Sequence, residues 1–139
     1  MNTGTKLVRD VMSCEVATVG RNDSLLAADD LMRLGRIRHV PVLDDQGQLA
    51  GILSQRDLFH GGLLRALGHG SHARQEALTS LVAKEVMKTD LLTTTPNTPL
   101  RSAAELMLER KVGCLLVVED AKLVGILTES DFVKLALES

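Results

Sequence analysis

Two short stretches of the chain hold the side chains best suited to bind a ligand. Ser54-Gln55-Arg56-Asp57 and Thr128-Glu129-Ser130-Asp131 each set a hydroxyl three residues ahead of a carboxylate. An ionised carboxylate only accepts hydrogen bonds, and it has lone pairs enough to take both hydroxyls of a ribose 2′,3′-diol. Hydroxyls from Thr128 and Ser130 add donors. The helix expected to begin near Thr128 offers N–H groups and a positive dipole end suited to a phosphate. The same pattern has a plainer meaning, because Ser/Thr-x-x-Asp ahead of a helix also caps it and satisfies its orphan N–H groups. Arg38, with a protonated His39, supplies positive charge for a phosphate; an arginine on a solvated surface is the plainer alternative.

No other constellation points to chemistry. The sequence shows no pair of carboxylates, no nucleophile beside a base and no metal-ligand cluster, so no catalytic residue is expected. His69-Gly70-Ser71-His72, with His60 upstream, is at best a two-ligand pattern, whereas zinc needs three or four. No metal or cofactor is expected. Cys14 and Cys114 lie far apart without CxxC spacing, and Cys114 borders an apolar run where it would pack as a small hydrophobe. Trp and Tyr are absent and there are only two Phe, which removes the stacking platforms of single-strand binders. The formal charge of −2 lacks the basic excess needed for duplex binding. A nucleic-acid partner is therefore not expected.

The elements that would position these residues occur twice. Asp10-Val11-Met12 answers Glu85-Val86-Met87 at an offset of 86 − 11 = 75. Thr18 and Thr93, Leu25 and Leu100, Ala28 and Ala103, and Val42 and Val117 follow in the same register. After a one-residue gap the offset becomes 125 − 51 = 74, pairing Gly51-Ile52-Leu53-Ser54 with Gly125-Ile126-Leu127-Thr128 and Asp57 with Asp131. Each copy reads as an extended segment (16–19; 91–95), a helix, two β-rich runs around a polar turn, and a second helix from about Gln55 or Glu129. Ser24 is the expected cap of the first helix; Thr98 is its counterpart, with Pro99 in the first helical position.

The expected fold is α+β, two pseudo-symmetric βαββα units packed through their sheets. The copies span 8–67 and 83–137, joined by a linker and helix over 68–82 that includes a Gly-rich break near Gly68. No apolar run is long enough to span a bilayer and the N-terminus has no signal-peptide character, so a soluble, cytoplasmic protein without a membrane partner is expected.

These duplicated motifs, with Arg38-His39-Val40-Pro41-Val42, resemble a pair of cystathionine-β-synthase (CBS) domains, a Bateman module, over about residues 8–137. The second copy departs from the pattern at Leu116, which stands where the first has Pro41. The resemblance implies a regulatory, non-catalytic module that binds AMP, ADP, ATP or S-adenosylmethionine and acts through a conformational or oligomeric change. It also implies a homodimer and a regulated protein partner. By that resemblance Asp131, Thr128 and Ser130 would share a ligand with Thr18, Ile37, Arg38 and His39. A second, weaker cleft would comprise Asp57, Ser54, Arg56, Thr93, Val112, Gly113 and Cys114. The alternative is an interaction and oligomerisation module whose clefts are vestigial.

Overall fold

The computed structural model of the chain describes residues 5–66 and 71–138, with the side chains of 61–66 and 71–74 outside the description. The chain forms two compact units whose boundaries cut across the sequence repeat. One is contiguous, Ala17–Leu91; the other is split, joining Met1–Val16 to Leu92–Ser139.

The elements run α1 (Val8–Val11), β1 (Val19–Gly20), α2 (Leu25–Gly35), β2 (His39–Leu43), β3 (Leu49–Ser54), α3 (Gln55–Ala66) and α4 (Ser71–Ser80). They continue with α5 (Ala83–Val86), β4 (Thr93–Thr94), α6 (Leu100–Arg110), β5 (Cys114–Glu119), β6 (Lys122–Thr128) and α7 (Glu129–Leu137). Both units are α+β, each built on a three-stranded sheet, β1-β2-β3 or β4-β5-β6. The first strand of each is parallel to the second and pairs over two residues only, Val19-Gly20 against Val42-Leu43 and Thr93-Thr94 against Leu116-Val117. The longer extended segments expected at 16–19 and 91–95 thus shrink to short edge strands.

The Val-Met segments that open the copies are single helical turns, α1 and α5. Four residues cannot hold a helix alone. Their N–H groups are anchored on the loop ahead of the long helix of the opposite copy. Val8 and Arg9 donate to the carbonyls of Thr98 (2.9 Å) and Pro96 (3.0 Å), and Ala83 and Lys84 to those of Asp23 (2.8 Å) and Arg21 (2.9 Å). This exchange of opening segments is why the units do not coincide with the repeats.

Helix starts follow the same exchange. Ser24 Oγ accepts from the Ala27 N–H at 3.4 Å, as a cap should, and the Leu25 N–H donates to the Leu81 carbonyl. In the second copy Thr98 does not cap. Pro99 itself holds the cap position, the Thr98 hydroxyl lies 2.8 Å from that of Thr95, and the Leu100 N–H is satisfied by the Lys6 carbonyl. The backbone acceptor at the first helical N–H is thus common to both copies, and the side-chain cap belongs to the first alone. Both helices end on a left-handed residue, Arg36 (φ 53°) or Lys111 (φ 55°).

Each sheet also receives one rung from the Val-Met segment. Ser13 exchanges both backbone hydrogen bonds with Ile126, and Lys88 does so with Ile52. The strand glycines are explained by this contact. A Cβ on Gly125 would stand 2.6 Å from Met12 Sδ and 3.0 Å from the Ser13 carbonyl oxygen, and one on Gly51 would stand 2.8 Å from Met87 Cγ and 3.0 Å from the Lys88 carbonyl oxygen.

Each unit has its own core. Leu25, Val40, Val42, Leu53, Leu58 and Leu78 fill the contiguous one; Val8, Leu100, Leu115, Val117 and Leu127 fill the split one. Leu78 on α4, with Leu81 just beyond its end, makes this helix part of the core rather than an appendage. The expected break near Gly68 lies outside the described residues. Among them, no helix is long and apolar enough to cross a membrane.

Candidate functional site

The two hydroxyl-x-x-Asp motifs lie where the last strand of each sheet passes into its following helix. In the split unit, β6 ends at Thr128 and α7 begins at Glu129, so Asp131 falls in the first helical turn. The residue is buried, at 5% exposure. Oδ2 accepts from the Thr128 N–H (2.8 Å) and the Thr128 hydroxyl (3.3 Å), while Oδ1 accepts from the Ser13 hydroxyl (3.0 Å). The Glu129 N–H donates to the Gly113 carbonyl at 3.2 Å. The start of α7, expected to offer N–H groups to a ligand, thus has those of Thr128 and Glu129 engaged within the protein.

The contiguous unit repeats the corner with different partners. Ser54 and Asp57 form a reciprocal capping box: the Ser54 N–H donates to Asp57 Oδ2 (2.9 Å), and the Asp57 N–H donates to Ser54 Oγ (3.1 Å). The Gln55 N–H donates to the Arg38 carbonyl (2.8 Å). Lys88 Nζ stands 3.6 Å from Asp57 Oδ1.

The remaining expected residues fall into place by unit. Thr18, Ile37, Arg38 and His39 belong to the contiguous unit, where His39 lies opposite Ser54 across the β2–β3 ladder. Thr93, Val112, Gly113 and Cys114 belong to the split unit, where Cys114 lies opposite Thr128. Within each unit, therefore, the structure brings Arg38 and His39 to the Asp57 corner, and Gly113 and Cys114 to the Asp131 corner. Arg38, Arg56, Thr93 and Ser130 are exposed; Thr18, Ile37, His39, Val112, Gly113, Ser54 and Thr128 are half-buried.

Sequence reasoning missed Ser13 and Lys88, the residues that reach the two carboxylates. The signal was available: each directly follows the duplicated Val-Met, at 88 − 13 = 75. What it lacked was the exchange of opening segments, which carries Ser13 to Asp131.

Burial pushes the Cys114 thiol up to about 12, so it stays protonated through neutral pH. Such a thiol is a poor nucleophile and a poor metal ligand. Cys14 is exposed, and both cysteines are free. His69 and the side chain of His72 lie outside the described residues. Among those described, no cluster of three or more His, Cys, Asp or Glu could hold a metal.

Two copies of one α+β unit, each closing on a carboxylate held at a strand-to-helix corner, define a paired-repeat module. The chain belongs to the CBS domain family, whose model matches residues 8–62 and 83–138. It is 33% identical over 124 residues to the CBS domain-containing protein YhcV of Bacillus subtilis, covering 89% of this chain and 81% of that protein. The solved structure of CBSX2 in complex with AMP superposes with a TM-score of 0.79 at 29% identity, covering 95% of this chain and 97% of that one. The CBS domain pair of protein MJ0100, solved with 5-methylthioadenosine and S-adenosyl-L-methionine, gives a TM-score of 0.75 at 25% identity, covering 96% and 97%.

Proposed function

We propose that this chain is a non-catalytic regulatory module that binds an adenosine-containing ligand and acts through a change of shape or assembly. One observation carries the reading: the same carboxylate corner closes both repeats, in a family whose solved members include complexes with AMP and with S-adenosyl-L-methionine. The ligand-contacting residues of the proposal are Asp131, Thr128 and Ser130 in the split unit and Asp57, Ser54 and Arg56 in the contiguous one. Thr18, Ile37, Arg38 and His39, with Thr93, Val112, Gly113 and Cys114, join them on the family resemblance. A carboxylate receiving ribose hydroxyls makes charged hydrogen bonds worth about 1.5–3 kcal/mol each, so its loss is measurable.

Titration of the full chain with AMP, ADP, ATP and S-adenosylmethionine tests the reading. The expected result is saturable binding well below about 1 mM, the weak end of useful affinity. Replacing both Asp57 and Asp131 by Ala is expected to abolish it, and 2′-deoxy analogues to bind poorly. No saturable binding of any of the four sinks the proposal.

A homodimer is part of the same proposal. Val133 and Leu137 stand one turn apart on α7 and are exposed, and Phe59 on α3, at the position equivalent to Val133, is exposed as well. Apolar side chains repeated on one helix of each unit suit an isologous interface. Native mass spectrometry reports the mass of the assembly together with any co-purified ligand.

A second reading has its own support. The Asp131 carboxylate already receives three donors from the protein, as an interaction module with a vestigial cleft would show. Dimerisation and partner capture that are indifferent to nucleotide would favour it.

A further inference from the structure

The two corners are built alike and charged differently. Three positions near Asp57 are cationic where their counterparts near Asp131 are not: Arg38 against Gly113, Arg56 against Ser130, and Lys88 against Ser13. Of these, Lys88 and Ser13 point at the carboxylates themselves. We propose that the residue following the Val-Met segment sets the class of ligand at each corner. Lys88 makes the Asp57 corner a site for a phosphate-bearing nucleotide, and Ser13 closes the Asp131 corner to a ribose diol. This deepens the adenosine-binding reading and rests on it, and of the two corners named there it gives the ribose to Asp57, the reverse of the order the family resemblance implies.

Lone pairs decide which corner can take a ribose. A carboxylate offers about four acceptor positions. At Asp131 the Ser13 hydroxyl, the Thr128 hydroxyl and the Thr128 N–H take three, leaving one where a vicinal diol needs two. Ser13 Oγ makes the very bond a ribose hydroxyl would make. At Asp57 the Ser54 hydroxyl turns to the backbone instead, accepting from the Asp57 N–H, so the carboxylate receives the Ser54 N–H on Oδ2. Oδ1 faces Lys88 at 3.6 Å, beyond hydrogen-bond range.

Charge decides the preference for a phosphate. The Lys88 side chain is 66% exposed, so its ion pair with Asp57 is easily given up. A diol that takes Asp57 displaces the ammonium from its partner. A nucleotide supplies a new partner in its phosphate, whereas a nucleoside supplies none. The corner therefore favours AMP over adenosine, and the preference weakens as salt screens the charges.

Calorimetric titration of the full chain with AMP and with adenosine tests this, using Lys88→Ser, Lys88→Glu and Asp57→Asn. Lys88 is exposed and its backbone bonds do not depend on its side chain, so its two variants keep the fold, and Asp57→Asn keeps a side-chain oxygen for the Ser54 N–H; thermal unfolding checks all three. The wild type is expected to prefer AMP by about tenfold, the worth of one charge-assisted contact. Lys88→Ser is expected to remove most of that preference by weakening AMP alone, Lys88→Glu to weaken AMP further, and Asp57→Asn to abolish binding of both ligands. Equal loss of AMP and adenosine in Lys88→Ser overturns the proposal, as does AMP binding that survives Asp57→Asn but is lost in Asp131→Asn. Those outcomes leave the adenosine-binding reading intact. A wild type that binds neither compound, nor ADP, ATP or S-adenosylmethionine, ends both.

Discussion

At the scale of the residue, the question is which donors a carboxylate has when no ligand is present. Asp131 is buried, and the Ser13 hydroxyl is the only one of its three donors that comes from outside its own strand-to-helix corner. Removing that hydroxyl leaves a buried charge short of a partner. Ser13→Ala should therefore cost about 1–2 kcal/mol in urea unfolding, while Ser13→Thr, which keeps the donor, should cost much less. Cys114 gives a prediction with a pH sign. Burial favours its neutral thiol, so the folded value lies at about 12 against an ordinary 9.0. Below 9.0 both folded and unfolded chains keep the proton and the full stability is present. As pH rises toward about 12 only the unfolded chain gives the proton up, and stability falls. The wild type should lose more unfolding temperature between pH 9 and 11 than Cys114→Ala does. An equal loss in both would refute burial as the cause. The hydroxyl-x-x-Asp pairs were legible in the sequence because their partners lie three residues apart. The Ser13–Asp131 bond was not, because it spans 118 positions and exists only once the opening segment has crossed to the other repeat.

At the scale of the element, the strands and long helices were legible because their apolar patterns are local, and the β-rich runs around each polar turn appear as β2 and β3 and as β5 and β6. The one-turn helices were not, since four residues carry no period and are held by backbone acceptors from distant loops. The strand glycines record that docking. Gly125→Ala would drive a methyl into Met12 and the Ser13 carbonyl, an overpacking that should cost about 1–3 kcal/mol. Shortening Met12 to Ala in the same chain should recover only part of the loss, because the carbonyl oxygen stays 3.0 Å from the new Cβ. Full recovery would show that the sulfur alone defines the contact. The β5–β6 hairpin gives a prediction of opposite sign. Its loop residues Asp120 (φ 53°) and Ala121 (φ 67°) are both left-handed, the conformation in which hairpin turns favour Asn-Gly or Asp-Gly. Ala121→Gly should raise stability by about 1 kcal/mol, read as a shift of the urea midpoint without a change of slope.

At the scale of the whole molecule, the exchange of opening segments sets which parts unfold together. Val8 is wholly buried in the core formed by Leu100, Leu115, Val117 and Leu127, although the second repeat begins some 75 residues later in the chain. Its counterpart Ala83 is likewise buried, in the core of the first repeat. A fold of two sequence-contiguous repeats would confine damage at Val8 to β2 and β3; the observed units send it to β5 and β6. Val8→Asp places an unpaired charge in that core, a change that costs several kcal/mol. Hydrogen exchange should therefore show the amides of Leu115–Leu127 losing protection before those of Val40–Leu53, the nearer stretch in sequence. If β2 and β3 open first, or if both sheets open at one rate at every denaturant concentration, then the two units are not separate cooperative bodies. The ligand differences argued for Ser13 and Lys88 would in that case have to be read through the stability of the whole chain.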